Sequence, residues 1–371
     1  MAIFQWDKLI NQKHKPNYLL RFLAALYGTG QAVRLFLYDK GIFPSHRLPV
    51  KVVCVGNITV GGTGKTPAVI QIAGLLQKNG LKVGIISRGY KRSGEEAVLA
   101  VCDGNKLLAD WHQAGDEPYL LANELNVPLL VGKNRYAAGC GALAYNPDVL
   151  ILDDGFQHLK LQRDINLLLI NASNPFGNGY TLPAGILREP LTAVKRADVV
   201  LLSKADKIAN LPQLHNLIRT YNPTSPIFHA AHKPVGLVEV ITRQDYKLDW
   251  PANKRVAVLS AIGDPASFKN LLVDLGAEVV SENHFPDHHD FLPDELGKVE
   301  QQAIETGCMA IITTAKDALR LPLDVVRNFK LPVLVLKIAL KIIDKQEEWE
   351  RFWLAKLGRS LMFRCVPTPK P

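Results

Sequence analysis

One stretch near the start of the chain constrains its fold more than any other. An apolar strand at residues 52–55 leads into a glycine-rich turn, and an amphipathic helix is expected over residues 67–79. Glycines let backbone N–H groups converge on phosphate oxygens, and the helix N-terminus adds partial positive charge. This order of elements is that of a phosphate-binding P-loop. The residues predicted to contact the nucleotide are Gly61, Gly62, Thr63, Gly64, Lys65 and Thr66.

Two side chains of this loop have predicted chemical roles. Lys65 should reach the β- and γ-phosphates of ATP, and the Thr66 hydroxyl should coordinate Mg²⁺. A plain strand-to-helix turn is the alternative, but Gly-Lys-Thr at such a junction is a specific combination. The strict pattern has Gly where this chain has Thr59. The loop is therefore divergent, and a standard GTPase is not expected.

A second apolar strand ends in two acids, Asp153 and Asp154. A buried strand parallel to the P-loop strand can deliver a carboxylate to Mg²⁺, as a Walker B element does. Adjacent carboxylates repel each other unless a cation lies near them. We predict that at least one of the two is a metal ligand, and the residues alone leave both as candidates.

Further candidate residues follow other predicted strands. Arg88 ends the strand at 81–87, Asp116 and Glu117 stand in Gly115-Asp-Glu-Pro118, and Arg188 lies in a long Gly/Pro-rich loop. Ligands gather at the carboxyl ends of parallel strands, so we expect the two arginines to bind phosphate charge and Glu117 to face the substrate. A carboxylate such as Asp116 can accept a proton from a hydroxyl, although an acid before a helix is more often a cap.

The alternation of strands and helices predicts an α/β fold, a P-loop NTPase-like parallel sheet flanked by helices. With 371 residues and 47% apolar composition, the chain is long enough for about two domains. We expect the P-loop core over 48–230 and a smaller C-terminal α/β domain over 231–360, with the Pro-rich stretch 222–255 as the connection. The tail, 361–371, is predicted to be disordered.

The first 47 residues are predicted to form a basic, amphipathic, membrane-associating segment. Up to residue 51 there are eight Lys and Arg against two acids, which accounts for +6 of the net charge of +9. The uncharged run between Arg21 and Arg34 has only twelve residues, too few to span a bilayer. A helix over 17–38 would instead lie in the membrane interface, or pack on its own domain; both remain open.

A histidine cluster near the C-terminal half, His284 to His289, suggests a metal site. Pro286 interrupts the helix that would place His284 and His288 on one face, and no Cys lies nearby, so zinc is not expected. A histidine near a phosphoryl-transfer centre can share a proton with a carboxylate base. The five cysteines are widely spaced, which predicts neither disulfides nor a zinc site.

Taken together, the motifs resemble those of the tetraacyldisaccharide 4'-kinase family of lipid A biosynthesis. They include Asp153-Asp-Gly-Phe-Gln-His158, Leu182-Pro-Ala-Gly185, Phe285-Pro-Asp-His-His289 and Thr313-Thr-Ala-Lys-Asp317. The resemblance implies a peripheral enzyme at the cytoplasmic face of the bacterial inner membrane. With Mg²⁺, it would move the γ-phosphate of ATP to the 4'-hydroxyl of an acylated glucosamine disaccharide 1-phosphate.

The resemblance also implies that Asp116 works with a histidine of the Asp-His-His segment, most simply His288, with His289 as the other candidate. Where the family has Glu in Thr-Thr-Glu-Lys-Asp, this chain has Ala315, so a role for that acid is absent here.

A membrane-associated ATPase or GTPase switch acting through a protein partner is the alternative function. The chain lacks the Lys that partition ATPases carry before the loop, having Val60 there, and has Ser203 where GTPases have Asn in their base-reading motif. A nucleic-acid-dependent ATPase is less favoured, because the basic excess alternates with apolar residues rather than following a groove. We therefore expect a lipid substrate, no nucleic acid and no obligate protein partner.

Overall fold

The computed structural model describes residues 15–90, 92–94 and 96–357. The predicted tail and the first fourteen residues of the predicted membrane segment lie outside these ranges. The strands are β1 Lys51–Gly56, β2 Val83–Ser87, β3 Leu99–Asp103, β4 Pro128–Val131, β5 Val149–Asp153, β6 Ile165–Asn171, β7 Val199–Ser203, β8 Ile227–Glu239, β9 Asp245–Tyr246, β10 Arg255–Ser260, β11 Glu278–His284, β12 Ala310–Thr314 and β13 Val333–Ile342.

Helices connect most of these strands. The α-helices are α1 Tyr18–Asp39, α2 Lys65–Lys78, α3 Trp111–Ala114, α4 Asp116–Glu124, α5 Arg135–Ala142, α6 Leu211–Tyr221, α7 Pro265–Asp274, α8 Pro293–Glu305, α9 Ala315–Ala318, α10 Leu323–Val326 and α11 Gln346–Leu357. Short 3₁₀ turns lie at Leu143–Tyr145, Leu191–Arg196 and Ala205–Lys207.

All the described strands belong to one mixed sheet with the order β11-β10-β12-β13-β8-β7-β6-β1-β5-β2-β4-β3, and β9 pairs with β8. From β8 to β4 every neighbouring pair is parallel, as the alternating strand and helix pattern predicted. The strands β13, β12, β10 and β11 are also mutually parallel. The prediction of a mixed α/β fold with a mostly parallel sheet is confirmed.

The two parallel groups run in opposite directions, because β8 and β13 pair antiparallel. The start of β8 pairs with β7, and the rest of its length pairs with β13. The carboxyl ends of the first group therefore point toward the second group, and those of the second group point back. Loops from both groups meet across one cleft, which is where ligands of parallel sheets bind.

The stretch 222–255, predicted as an interdomain connection, contains this long strand β8. It joins the two groups by continuous main-chain pairing rather than by a linker. The chain then returns to the first group, where Trp349 and Trp353 of α11 are fully buried in the same apolar cluster as α2. Residues 340–357 thus pack on the first half, although the predicted boundaries place them in the second.

Helix α1 begins after Asn17, whose side chain accepts a hydrogen bond from the Leu20 N–H. Its outer face exposes large apolar side chains, among them Tyr18, of which 87% is exposed, and Phe22, of which 61% is exposed. Within the described part of the chain, no helix is both long enough and apolar enough to cross a bilayer.

Candidate active site

The glycine-rich loop connects β1 to α2, and α2 begins at Lys65, two residues earlier than the sequence predicted. Gly61 and Gly64 have φ angles of +101° and +87°, which side chains other than glycine rarely adopt. The buried Thr63 holds the loop in place: its hydroxyl accepts from Asn57 Nδ2 at 2.9 Å, and its carbonyl accepts from Ser203 Oγ at 2.8 Å. The hydroxyl and the carbonyl of Thr63 are therefore used internally, and its backbone N–H is the group left for a ligand.

Asp154 lies at the mouth of this loop between two cations. Arg188 Nη1 donates to both carboxylate oxygens of Asp154 at 3.1 Å, and Lys65 Nζ lies 3.7 Å from one of them. Burial opposes ionisation, but Lys65 and Arg188 outweigh it and lower the pKa of Asp154. Three residues predicted separately from the sequence thus form one charged group.

The Arg188 loop is fixed to the glycine-rich loop by main-chain bonds. The Arg188 N–H donates to the Ile58 carbonyl at 2.7 Å, and the Val60 N–H donates to the Ile186 carbonyl at 2.8 Å. These bonds explain how Arg188, more than a hundred positions after the glycine-rich loop, comes to lie beside that loop and reaches Asp154.

Asp153 is only 2% exposed and ends β5, beside β1 and β2. The hydroxyl of Ser87, at the end of β2, donates to Asp153 Oδ2 at 2.8 Å. Burial, followed by the charges of Glu117 and Asp154, raises the pKa of Asp153 to about 7. A buried carboxyl surrounded by other carboxylates suits a divalent cation, which would remove this repulsion.

No group of three or more His, Cys, Asp and Glu side chains among the described residues is arranged to hold a metal by itself. Mg²⁺ usually takes only one or two carboxylates and completes its shell with water and substrate phosphates. Asp153, Asp154 and the Thr66 hydroxyl next to Lys65 therefore fit a nucleotide-bound Mg²⁺ better than a permanently bound ion.

Asp116 and His288 meet across the cleft. Asp116 is the first residue of α4 and His288 follows β11, and His288 Nδ1 lies 2.7 Å from Asp116 Oδ2. Gly115, directly before Asp116, has a φ of +88°, and a Cβ there would lie 2.7 Å from the Tyr90 carbonyl oxygen. His288 itself has a φ of +66°, which is strained for a residue with a side chain and recurs at functional sites. Of the two candidate histidines, the structure thus pairs His288 with Asp116.

Arg320 is a third member of this group. Its side chain is only 1% exposed, and its Nη2 contacts Asp116 Oδ2 and lies 2.7 Å from His288 Nδ1. A single Nδ1 cannot both donate to Asp116 and accept from Arg320. Lys316 Nζ, which can only donate, lies 3.3 Å from His288 Nε2. The consistent assignment has Nδ1–H donating to Asp116, Nε2 accepting from Lys316, and Arg320 donating to the Asp116 carboxylate.

The remaining predicted residues lie at the same edge. Arg88 is exposed, and its charge acts on the buried Arg135, whose pKa is lowered by burial and then by Arg88. Arg135 also feels the charges of Asp154 and Asp153, so this pair of arginines adds positive potential beside the two acids. The negative charge of Glu117 is close enough to Asp153 to help raise the pKa of that carboxyl.

The other histidines of the cluster have partners elsewhere. His284 bonds Ser260 through Nδ1 at 2.9 Å and Glu282 through Nε2 at 3.1 Å. His289 bonds Glu295 at 2.7 Å. Both side chains thus bond groups other than Asp116.

Sequence reasoning missed Arg320 and Arg135, and assigned no role to Lys316. Lys316 stands inside the quoted motif Thr313-Thr-Ala-Lys-Asp317, and Arg320 follows one turn later. The four-residue spacing between Lys316 and Arg320 was the available signal, because residues four apart lie on the same face of a helix. Arg135 had no signal beyond lying near the end of a strand.

Comparison with known proteins decides the family. Residues 16–357 match the family model described as tetraacyldisaccharide-1-P 4'-kinase. The chain belongs to this family. The tetraacyldisaccharide 4'-kinase of Anaeromyxobacter sp. (strain K) is 43% identical over 351 residues, which is 94% of this chain and 91% of that protein. The tetraacyldisaccharide 4'-kinase of Syntrophus aciditrophicus (strain SB) is 37% identical over 335 residues, covering 87% of this chain and 89% of that protein.

A solved structure of the same family has a similar fold. It is the crystal structure of LpxK from Aquifex aeolicus in complex with ATP, which is 33% identical and superposes with a TM-score of 0.73. The match covers 91% of this chain and 98% of that protein. The family's fold therefore extends over nearly the whole chain, including both groups of strands.

Proposed function

We propose that this chain is an ATP-dependent kinase that phosphorylates the 4'-hydroxyl of a tetraacyl glucosamine disaccharide 1-phosphate, giving lipid IVA. Membership of the 4'-kinase family supports the reaction, and the pairing of Asp116 with His288 at 2.7 Å is the single observation that ties it to this site. The proposal assigns the pair to the same cleft as the phosphate loop, and it is supported by Glu117, next to Asp116, whose charge helps to raise the pKa of Asp153.

On the donor side, the loop amides of residues 61–66 and the Lys65 ammonium would hold the β- and γ-phosphates of ATP. Arg188 and Lys65 already share Asp154, so both cations are fixed where negative charge would develop on the transferred group. Thr66, with Asp153 or Asp154, would hold Mg²⁺. When bound, Mg²⁺ neutralises phosphate charge and orients the donor.

On the acceptor side, Asp116 would take the proton of the 4'-hydroxyl as its oxygen forms a bond to the γ-phosphorus and the bond to the β-phosphate oxygen breaks. His288 donates to Asp116 through Nδ1, which orients the carboxylate, and the proton of the 4'-hydroxyl stays on Asp116. Arg320 contacts the Asp116 carboxylate directly, and this charge-assisted bond holds the carboxylate in place for the incoming hydroxyl.

The lipid side of the reaction is proposed to lie along α1. This helix docks on the Arg188 loop: Tyr27 Oη donates to the Arg188 carbonyl at 2.9 Å, and Thr181 Oγ1 donates to the Ala24 carbonyl at 2.8 Å. Between them is an open cavity of about 700 Å³, whose lining includes Phe22 and Tyr180. An apolar surface thus begins beside the loop that carries Arg188.

We infer that α1 also places the enzyme on the membrane. Its outer apolar side chains and the exposed Arg21 suit the interface of an anionic bilayer. Arg34 faces the protein instead and donates to the Gln157 carbonyl at 2.9 Å. Peripheral attachment at the cytoplasmic face of the inner membrane would present ATP from water and the acylated substrate from lipid. No nucleic acid and no obligate protein partner enter this proposal.

Incubation with γ-labelled ATP, in the presence and absence of the disaccharide lipid, tests the function. The kinase proposal expects label on the lipid and little free phosphate without it, because water must be kept from the γ-phosphate. Steady release of phosphate with no labelled lipid would instead support a switch ATPase. Lys65→Ala serves as the control that should lose transfer.

A further inference from the structure

A histidine outside the residues discussed so far lies against the phosphate loop. His232 is on β8, the strand that joins the two parallel groups. A Cβ built on Gly64 would lie only 2.6 Å from His232 Nε2 and 3.0 Å from its Cε1. The imidazole therefore packs directly on the bare Cα of the glycine before Lys65, and only glycine leaves room for it.

The Nε2 atom of His232 is buried and has no hydrogen-bond partner. An unpaired buried polar atom is costly and rare in a native protein, and such an atom often marks the place of a ligand. Burial, then the charge of Lys204, lowers the pKa of His232 to about 4, so the ring is neutral and one nitrogen carries a proton.

The charged neighbours of His232 already have partners. Lys204 Nζ is 2.6 Å from Asp264 Oδ2, and Lys233 Nζ is 2.7 Å from Asp206 Oδ2. Each of the two lysines is thus paired with a carboxylate, and neither ion pair includes the His232 imidazole. Two buried polar atoms near the loop lack a partner in the described part of the chain, Asn57 Oδ1 and His232 Nε2. Of these, Nε2 can carry a hydrogen and donate, and phosphate oxygens, which the loop is expected to bind, accept hydrogen bonds.

We propose that His232 is a nucleotide-binding residue whose Nε2–H donates a hydrogen bond to a phosphate oxygen of bound ATP. This inference rests on the proposed function, since it assumes that the loop binds a nucleotide. Because His232 belongs to the strand that runs through both groups, the contact also connects the bound phosphates to the half of the molecule that carries His288.

Equilibrium binding of ATP, ADP and adenosine to the full chain tests this role. His232→Leu removes the donor and should raise the Kd of ATP and of ADP by about tenfold to a hundredfold, the loss expected for one hydrogen bond to a charged group. The Kd of adenosine, which has no phosphate, should not change. His232→Gln places an amide N–H near the position of Nε2 and should restore most of the affinity, whereas the shorter amide of His232→Asn should not.

His46→Leu is the matched control, because His46 lies at the opposite, amino-terminal edge of the sheet, bridged to Leu161, and should leave all three constants unchanged. The Gln and Asn variants, both polar and close in size, decide the question if the Leu variant does not fold. Unchanged ATP affinity in all the His232 variants would overturn the inference, and so would tighter binding, which would mean that the ring only fills an empty loop. Failure of the unaltered chain to bind ATP would refute the proposed function instead.

Discussion

Replacing Asp153 by Asn should stabilise the ligand-free protein at alkaline pH while it removes activity. In the folded chain the pKa of Asp153 lies at about 7 instead of its ordinary 3.8, because the carboxyl is buried and faces Glu117 and Asp154. Between these two values the folded protein keeps a proton that the unfolded chain has released. Stability therefore falls as the pH rises through this window, and the full penalty is present above pH 7.

The magnitude follows from the pKa difference of about 3, at about 1.4 kcal/mol for each pH unit, which gives about 4 kcal/mol. With an unfolding entropy of about 2 cal/mol/K per residue, a chain of 371 residues should gain about 5 °C in Tm. Asn is a neutral isostere, and its carbonyl can still accept from Ser87. The gain should be present at pH 8 and vanish near pH 4.

Thermal unfolding without nucleotide or metal, measured from pH 4 to pH 8, tests this reasoning. Asp154→Asn is the matched control: the pKa of Asp154 is lowered by Lys65 and Arg188 in spite of burial, so its removal should reduce stability at pH 8. Mg²⁺ and ATP should narrow the gap between Asp153→Asn and the unaltered chain, because a bound cation relieves the repulsion. A Tm difference that does not depend on pH, or a destabilised Asp153→Asn at pH 8, would refute the electrostatic account of this edge.

Three further outcomes are expected. Asp116→Ala should lower kcat by about two to four decades, the loss typical of a general base, with little change in the Kd of ATP. Kinetics and ATP binding measured on the same variant check this. Near-full turnover would remove Asp116 from the mechanism. Arg320→Leu should cost about 3–5 kcal/mol in unfolding free energy, because it leaves the largely buried Asp116 without its cation. Arg320→Lys should recover part of that loss, as denaturant titration can establish. Equal stability of the two variants would argue against the ion pair. Phe22→Ser combined with Leu26→Ser should reduce the fraction of protein that sediments with anionic vesicles and raise KM for the lipid, without altering ATP affinity. Unchanged vesicle binding would show that α1 does not attach the protein to the membrane.

The first half of the fold could be predicted from the sequence because its signals are local. An apolar run, four glycines and Lys-Thr define the loop within sixteen residues, 51–66, and parallel strands place their carboxyl ends at one edge. The acids Asp153 and Asp154 were predicted for the same reason, since a buried strand ending in two carboxylates is informative alone.

The second half was harder to predict because its key contacts are long-range. The proline-containing strand β8 resembles a linker in sequence, and only its pairing with β7 and β13 identifies it as the centre of the sheet. The contact of Arg320 with Asp116 spans about two hundred positions and depends on two strand groups facing each other. The spacing of Arg320 after Lys316 marks it as a candidate, but neither local propensity nor spacing encodes its contact with Asp116. That contact, and the place of His232, are visible only in the folded structure.

The identity of the phosphorylated atom tests the central claim most directly. After incubation with ATP, Mg²⁺ and the tetraacyl disaccharide 1-phosphate, a ³¹P–¹H correlation spectrum of the extracted lipid should show a new phosphate monoester coupled to the proton at carbon 4'. The same spectrum from Asp116→Ala should lack that signal at equal times. A phosphate attached at any other position, or inorganic phosphate as the sole product, would contradict the account.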